Sequence, residues 1–103
     1  MITTIVYFDL SPSFTPDKAR LAFSESAQKF LHLQGLIRKY FLLSEHGKSA
    51  ARVYLWETRK QAEAFNSKAW KDFIRDKYGF PPSVVYYECP VVVDNHAEEI
   101  IRV

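Results

Sequence analysis

The stretch GLIRKYFLLSEHGKSAARVYLWET (Gly35–Thr58) decides the fold. Two runs rich in β-branched and aromatic residues flank the segment EHGK, which is the pattern of a β-hairpin. A loop of two or four residues pairs Ser44 with Ser49, Phe41 with Arg52 and Lys39 with Tyr54. A loop of three or five residues would shift that register. Side chains alternate along a strand. The first register therefore puts Ile37, Lys39, Phe41, Leu43, Arg52, Tyr54 and Trp56 on one face, and Leu36, Arg38, Tyr40, Leu42, Ala51, Val53 and Leu55 on the other. Both faces are largely apolar, and each holds a cation. An antiparallel sheet commonly keeps one wet side, so this hairpin calls for cover on both.

Before the hairpin, Ile2 to Leu10 reads as a first strand, with Ile2, Val6, Phe8 and Leu10 on one side and Ile5 and Tyr7 on the other. FTPDKARLAFSESAQKFLHLQG predicts a helix. Thr15 is its cap, Pro16 its first residue, Asp17 suits the positive end of the dipole and Gly35 lies just past the end. Ala19, Phe23, Ala27, Phe30 and Leu31 recur at helical spacing as its buried stripe.

After the hairpin, Thr58 and Gln61 have the spacing of a capping box and begin a second helix. That helix breaks or bends near Asn66 and Ser67, which compete for backbone hydrogen bonds. Trp70, Phe73, Ile74 and Tyr78 form the apolar side of its continuation. GFPPS stops it, and VVYYECPVVVDN reads as a fourth strand, with Val84 and Tyr86 set against Val85, Tyr87 and Cys89. Pro90 places that strand at an edge or gives it a bulge. The order βαββαβ predicts a ferredoxin-like α+β sandwich with a four-stranded antiparallel sheet over residues 1–95. The tail HAEEIIRV (96–103) is assigned no structure.

Helices in this order blanket one face of the sheet. The other would exceed the few hundred Å² of contiguous apolar surface that a monomer usually exposes. A second copy across a twofold axis is the simplest cover, which predicts a homodimer packed sheet to sheet. With 103 residues, 48% of them hydrophobic and 16% aromatic, the chain has material for one core and is not disordered. A net charge of +2 gives no reason to expect a nucleic acid partner. The single cysteine, Cys89, excludes an internal disulfide and a Cys-based zinc site of the usual ligand count. The start MITTIVYFDL lacks a basic segment and cleavage site, and no apolar run nears the ~20 residues of a membrane span. The expectation is a cytoplasmic protein without a membrane partner.

The stretch VYLWETRKQAEAFNSKAWKDFI resembles the strand–Trp–helix signature of antibiotic-biosynthesis-monooxygenase-like proteins, the dimeric α+β barrels. Its matching positions are Trp56, Glu57 and Ser67 to Trp70. With SVVYYECPVVVDN, the hairpin is most similar to the YdhR-like branch of that family. The resemblance covers nearly the whole chain up to Asn95. It implies a pocket between the sheet and its own helices, with the opposite sheet face closing a dimeric barrel. Phe65 stands where many such barrels carry a pocket-lining His, and the segment before Trp70 is one residue shorter here.

With Trp56 facing that pocket, as the resemblance implies, Tyr54, Lys39, Phe41 and Arg52 share its side, with Phe65 and Trp70 on the helices above. A cation beside aromatic rings can hold an acidic phenol or enol as its anion. The resemblance thus implies oxidation of a small quinol-, anthrone- or polyketide-like aromatic by oxygen, without metal or flavin. As plain core residues, Tyr54 and Trp56 have no such role, and Lys39 and Arg52 can equally snorkel at the sheet rim. The competing reading is a dimer that binds an apolar small molecule without catalysis. A remoter one is an RNA-recognition-like platform of Tyr7, Tyr54, Trp56 and Arg52, against which the third strand lacks that module's motif. His32 reads as a helix-end contact, His46 as solvated in the turn, and His96 lies in the tail. No histidines have metal-site spacing, and Cys89, in a strand without an evident base, reads as inert. No residue stands out as the general base.

Overall fold

The hairpin adopts the first of the two registers: Phe41 lies opposite Arg52 and Lys39 opposite Tyr54. In the computed structural model, which describes all 103 residues, β2 (Leu36–Leu43) and β3 (Ser49–Trp56) flank one side of a larger sheet. β1 (Ile2–Asp9) pairs with β3, and β4 (Ser83–Glu88) pairs with β1, giving the antiparallel order β2-β3-β1-β4. The turn is fixed locally, because His46 Nδ1 accepts from the Lys48 N–H at 2.9 Å and Gly47 takes a positive φ of 76°.

One residue breaks the hairpin's alternation. The register slips between Leu36 and Arg38, so that Leu36 meets Trp56 and packs on the core, while Ile37 is exposed. The sequence expectation had these two reversed. An extra residue in one strand turns everything beyond it to the opposite face, and pairing alone could not reveal it.

Helices α1 (Pro16–Ala27), α2 (Arg59–Phe65) and α3 (Lys68–Tyr78) cover one face. Val6, Phe8, Leu10, Tyr54 and Trp56 from the sheet meet Ala19, Phe23, Ala62, Ile74 and Tyr78 from the helices in a single core. Caps set the helix starts. Thr15 Oγ1 accepts from the Lys18 N–H at 3.3 Å with Pro16 in the first turn, and Thr58 and Gln61 form the reciprocal capping box. Gly35, at φ 84°, brings the chain against that box so closely that a Cβ there would collide with the Gln61 carboxamide. Between α2 and α3, Ser67 caps the new helix, accepting from the Trp70 N–H at 3.2 Å. The Asn66 amide is buried and makes no hydrogen bond, so Ser67 alone does the local bonding expected of the pair.

Helix α1 is shorter than its periodicity predicts. After Ala27 the chain tightens into a 3-10 turn (Gln28–Phe30), and His32 takes a positive φ of 66°. Ala27 and Leu31, expected in the buried stripe, are exposed, Leu31 at 72%. Phe30 packs on the core as expected, and Leu33 takes the place foreseen for Leu31. The fourth strand also stops early. Pro90 has no N–H for a ladder, so β4 ends at Glu88 and β5 (Val91–Asp94) pairs with β6 (Glu99–Arg102) as a separate ribbon. Cys89 therefore sits outside a strand, half-buried at this junction. β6 lies within the tail.

The ribbon crosses from the β4 edge to the β2 edge at one end of the outer sheet face, where the Asp94 carboxylate pairs with Arg38. The N–H of Ala97 and the Arg38 guanidinium hold Asp94 below the usual carboxylate range. Beyond the ribbon, Tyr40, Val53, Ile5 and Val85 form a continuous row across all four strands, with Leu42 and Tyr7 in the next. Tyr40, Leu42, Ile5, Tyr7 and Val85 are between 39% and 50% exposed. Tyr7 thus lies on the outer face, whereas Tyr54, Trp56 and Arg52 are buried under the helices. The four residues of an RNA-type platform do not share a surface.

Candidate functional site

Alternation on β2 and β3 aims Lys39, Phe41, Arg52 and Tyr54 at the helices. The shortened α1 leaves space above them, which the 3-10 turn and α3 only partly fill. The result is a cavity of about 260 Å³, lined chiefly by Phe30, Phe41, Tyr54, Phe65, Trp70 and Tyr78 around Lys39 and Arg52. It is at the small end of the range for small-molecule sites, roughly 300–1,000 Å³. Lys29 and Lys77 also line it, and no Asp, Glu or His does.

Its two inner cations have unusual surroundings. Arg52 is 2% exposed, with its guanidinium carbon 4.2 Å from the Phe23 ring centre and 4.7 Å from that of Phe41. Its nitrogens donate to the Ala51 carbonyl at 3.2 Å and the Tyr78 hydroxyl at 3.4 Å, and it forms no ion pair. Lys39 Nζ lies 3.3 Å from the centre of the Phe30 ring, 4.1 Å from Phe41 and 4.5 Å from Tyr54. It has no carboxylate partner either. Burial, and then the neighbouring Arg52 charge, push the Lys39 ammonium down to about 6. Burial raises the Tyr54 and Tyr78 hydroxyls, so both stay protonated. Cation–ring contact returns about 2 kcal/mol when desolvated, against several kcal/mol for each buried charge. Removal from water therefore wins, and the site is short of negative charge.

Of the residues expected to contact a ligand, Tyr54, Lys39, Phe41, Arg52, Phe65 and Trp70 line this cavity together. Trp56 does not. It is 2% exposed and stands behind Tyr54, stacked at 5.8 Å with 12° between the rings, and against Phe65 at 5.6 Å. Helical periodicity places Phe30, Phe73 and Tyr78 in buried stripes and no more, because it reports burial and not which buried rings border a void. Trp56 Nε1 and Thr4 Oγ1 are buried without partners.

No family profile and no curated protein matches the sequence. Solved structures match closely in shape. A Nitrosomonas europaea protein provisionally named an antibiotic biosynthesis monooxygenase is 22% identical with a TM-score of 0.67, over 85% of this chain and 88% of that one. A Streptomyces coelicolor monooxygenase from the gene ActVA-Orf6, solved in complex with nanaomycin D, is 16% identical with a TM-score of 0.63, over 85% and 86%. SnoaB, a cofactor-independent oxygenase from Streptomyces nogalater, is 13% identical with a TM-score of 0.63, over 85% and 91%. The chain therefore has the fold shared by proteins named antibiotic biosynthesis monooxygenases.

Proposed function

We propose that this protein is a cofactor-independent monooxygenase acting on a small acidic phenol or enol of quinol, anthrone or polyketide-like type. The observation that carries the reading is the pairing of Arg52 and Lys39 in a ring-lined cavity with no acid of its own. A buried cation without a partner is costly, and an aromatic anion supplies both the missing charge and the ring contacts. Arg52 holds the phenolate oxygen, and the phenyl rings exclude water. The electron-rich anion then reacts with O2 directly. An anthrone, for example, loses two hydrogens and gains one oxygen atom, while the other leaves as water. The shared fold with the coelicolor and nogalater oxygenases supports this chemistry by analogy.

Oxygen uptake by the metal-free protein with a panel of quinols and anthrones tests it. Saturable uptake is expected. Arg52→Met, which keeps the volume and removes the charge, should lower kcat/KM by about tenfold or more, as befits a charged hydrogen bond of roughly 1.5–3 kcal/mol. Saturable binding of such anions with no uptake above the spontaneous rate would instead make this a binding protein.

The same reading includes a homodimer that buries the row of Tyr40, Val53, Ile5 and Val85. No helix of the chain covers this row. Sedimentation should show two copies, and Ile5→Lys should leave a folded monomer. An unchanged sedimentation coefficient in that variant would place the interface elsewhere.

A further inference from the structure

A deprotonated substrate needs an acceptor for its proton, and the cavity narrows the choice to its amines. Its lining has no carboxylate and no imidazole. The Tyr54 and Tyr78 hydroxyls are held in their protonated form by burial. Arg52 remains a guanidinium at any working pH. Lys29 lines the same cavity from the 3-10 turn and Lys77 from α3, and both are exposed. Lys39 is the half-buried amine of the three, with Phe30 from the turn, Phe41 from its own strand, Tyr54 from β3 and Phe65 from α2 within 5.9 Å of Nζ, whereas the exposed Lys77 has Phe73 and Tyr78 at 5.6 and 5.4 Å.

Resting on the phenol-binding reading above, we propose that Lys39 is the general base of this cavity. Its neutral amine takes the hydroxyl proton of the bound phenol or enol, leaving the anion between Nζ and Arg52. The O–H bond breaks, an N–H bond forms, and a neutral pair becomes an ammonium–phenolate pair with no net change in charge. The surroundings suit both ends of this transfer. Before it, burial and the Arg52 charge keep the proton off Nζ, consistent with its titration near 6. After it, the new anion lies between the two cations and offsets one of their charges, and the ring faces that flank Nζ favour the ammonium. The amine thus becomes a stronger base as its own product forms. A cation fixed in the charged state at this position would bind a phenolate equally well but would not generate one.

Calorimetric titration of para-nitrophenol at pH 6.5, in two buffers of different ionisation enthalpy, counts the protons released on binding. The wild-type protein should release almost none, because Lys39 takes the proton that the phenol gives up. Lys39→Met and Lys39→Arg should still bind the phenolate through Arg52, and each should release close to one proton per ligand. In turnover, Lys39→Met should lose about a hundredfold in kcat near neutrality, in the range of a lost general base. That loss should shrink as rising pH ionises the substrate in solution. Proton release from the wild type equal to that of Lys39→Arg would overturn the assignment of the base and leave the anion-binding cavity standing. Absence of para-nitrophenol binding by the wild type would overturn the cavity's reading and the base with it.

Discussion

Trp56→Ala is expected to cost about 3–5 kcal/mol, in the range for large aromatics removed from a core. Trp56 is among the largest fully buried side chains, and it stacks on Tyr54 and meets Phe65, both of which border the cavity. A domain of this size has roughly 5–15 kcal/mol in total, so the melting temperature should fall by tens of degrees at about 4–8 °C per kcal/mol. Trp56→Phe should lose far less. It keeps a ring against Tyr54, and because Nε1 has no partner the change forfeits no hydrogen bond. Urea denaturation of both variants makes the comparison, and a loss below about 1 kcal/mol for the alanine would contradict this packing. Any effect of these variants on ligand binding should be indirect, through Tyr54 and Phe65.

Lys39→Met should move stability the other way. The native Lys39 ammonium titrates near 6 against an ordinary 10.5, so between those values the unfolded chain holds a proton that the folded chain lacks. Stability then rises with pH through this window, with a slope of up to about 1.4 kcal/mol per pH unit, and the full penalty applies below pH 6. Asp72 and Asp94 are both held below the ordinary carboxylate value, so they titrate beneath this window. The Tyr54 and Tyr78 hydroxyls are raised, so the loss of their unfolded-state protons bends the curve down only near pH 10. Methionine should flatten the slope and raise stability at pH 7 by about 1–4 kcal/mol, as when other buried charges give way to apolar side chains. Melting curves from pH 6 to 9 decide it. Parallel pH profiles for the two proteins would show that Lys39 is not held neutral. A gain in stability with a loss of turnover is the trade expected of a working residue kept at the fold's expense.

The elements of this fold were legible because each carried a local signal. The spacing around EHGK limited the hairpin to two registers, one of which is adopted, the helix starts followed from Thr15 and Thr58, and the two-sided sheet from plain alternation. Three features were not legible, each for its own reason. The slip that swaps Leu36 and Ile37 depends on how Leu36 settles against Trp56, which is a tertiary contact. The early end of α1 places Phe30 over Lys39, although Leu31 fits the helical stripe equally well. Pro90 signalled a break in the fourth strand, but the β5–β6 ribbon that follows it needs the tail to pair back on Val91–Asp94, and the tail carries no strand signal of its own. The site was half readable. Strand alternation grouped Lys39, Phe41, Arg52 and Tyr54, but the depth that sets Trp56 behind Tyr54 exists only in three dimensions.

The strand order also governs how the chain can fold. β1 lies between β3 and β4, so its two partners come from segments that begin only at Ser49 and Ser83. Its pairing closes long loops, which slows folding and leaves a strand apolar on both sides waiting in the nascent chain. Until residues Ser83 to Glu88 join it, β1 keeps one edge unpaired, so the sheet is completed by the most distant of its segments.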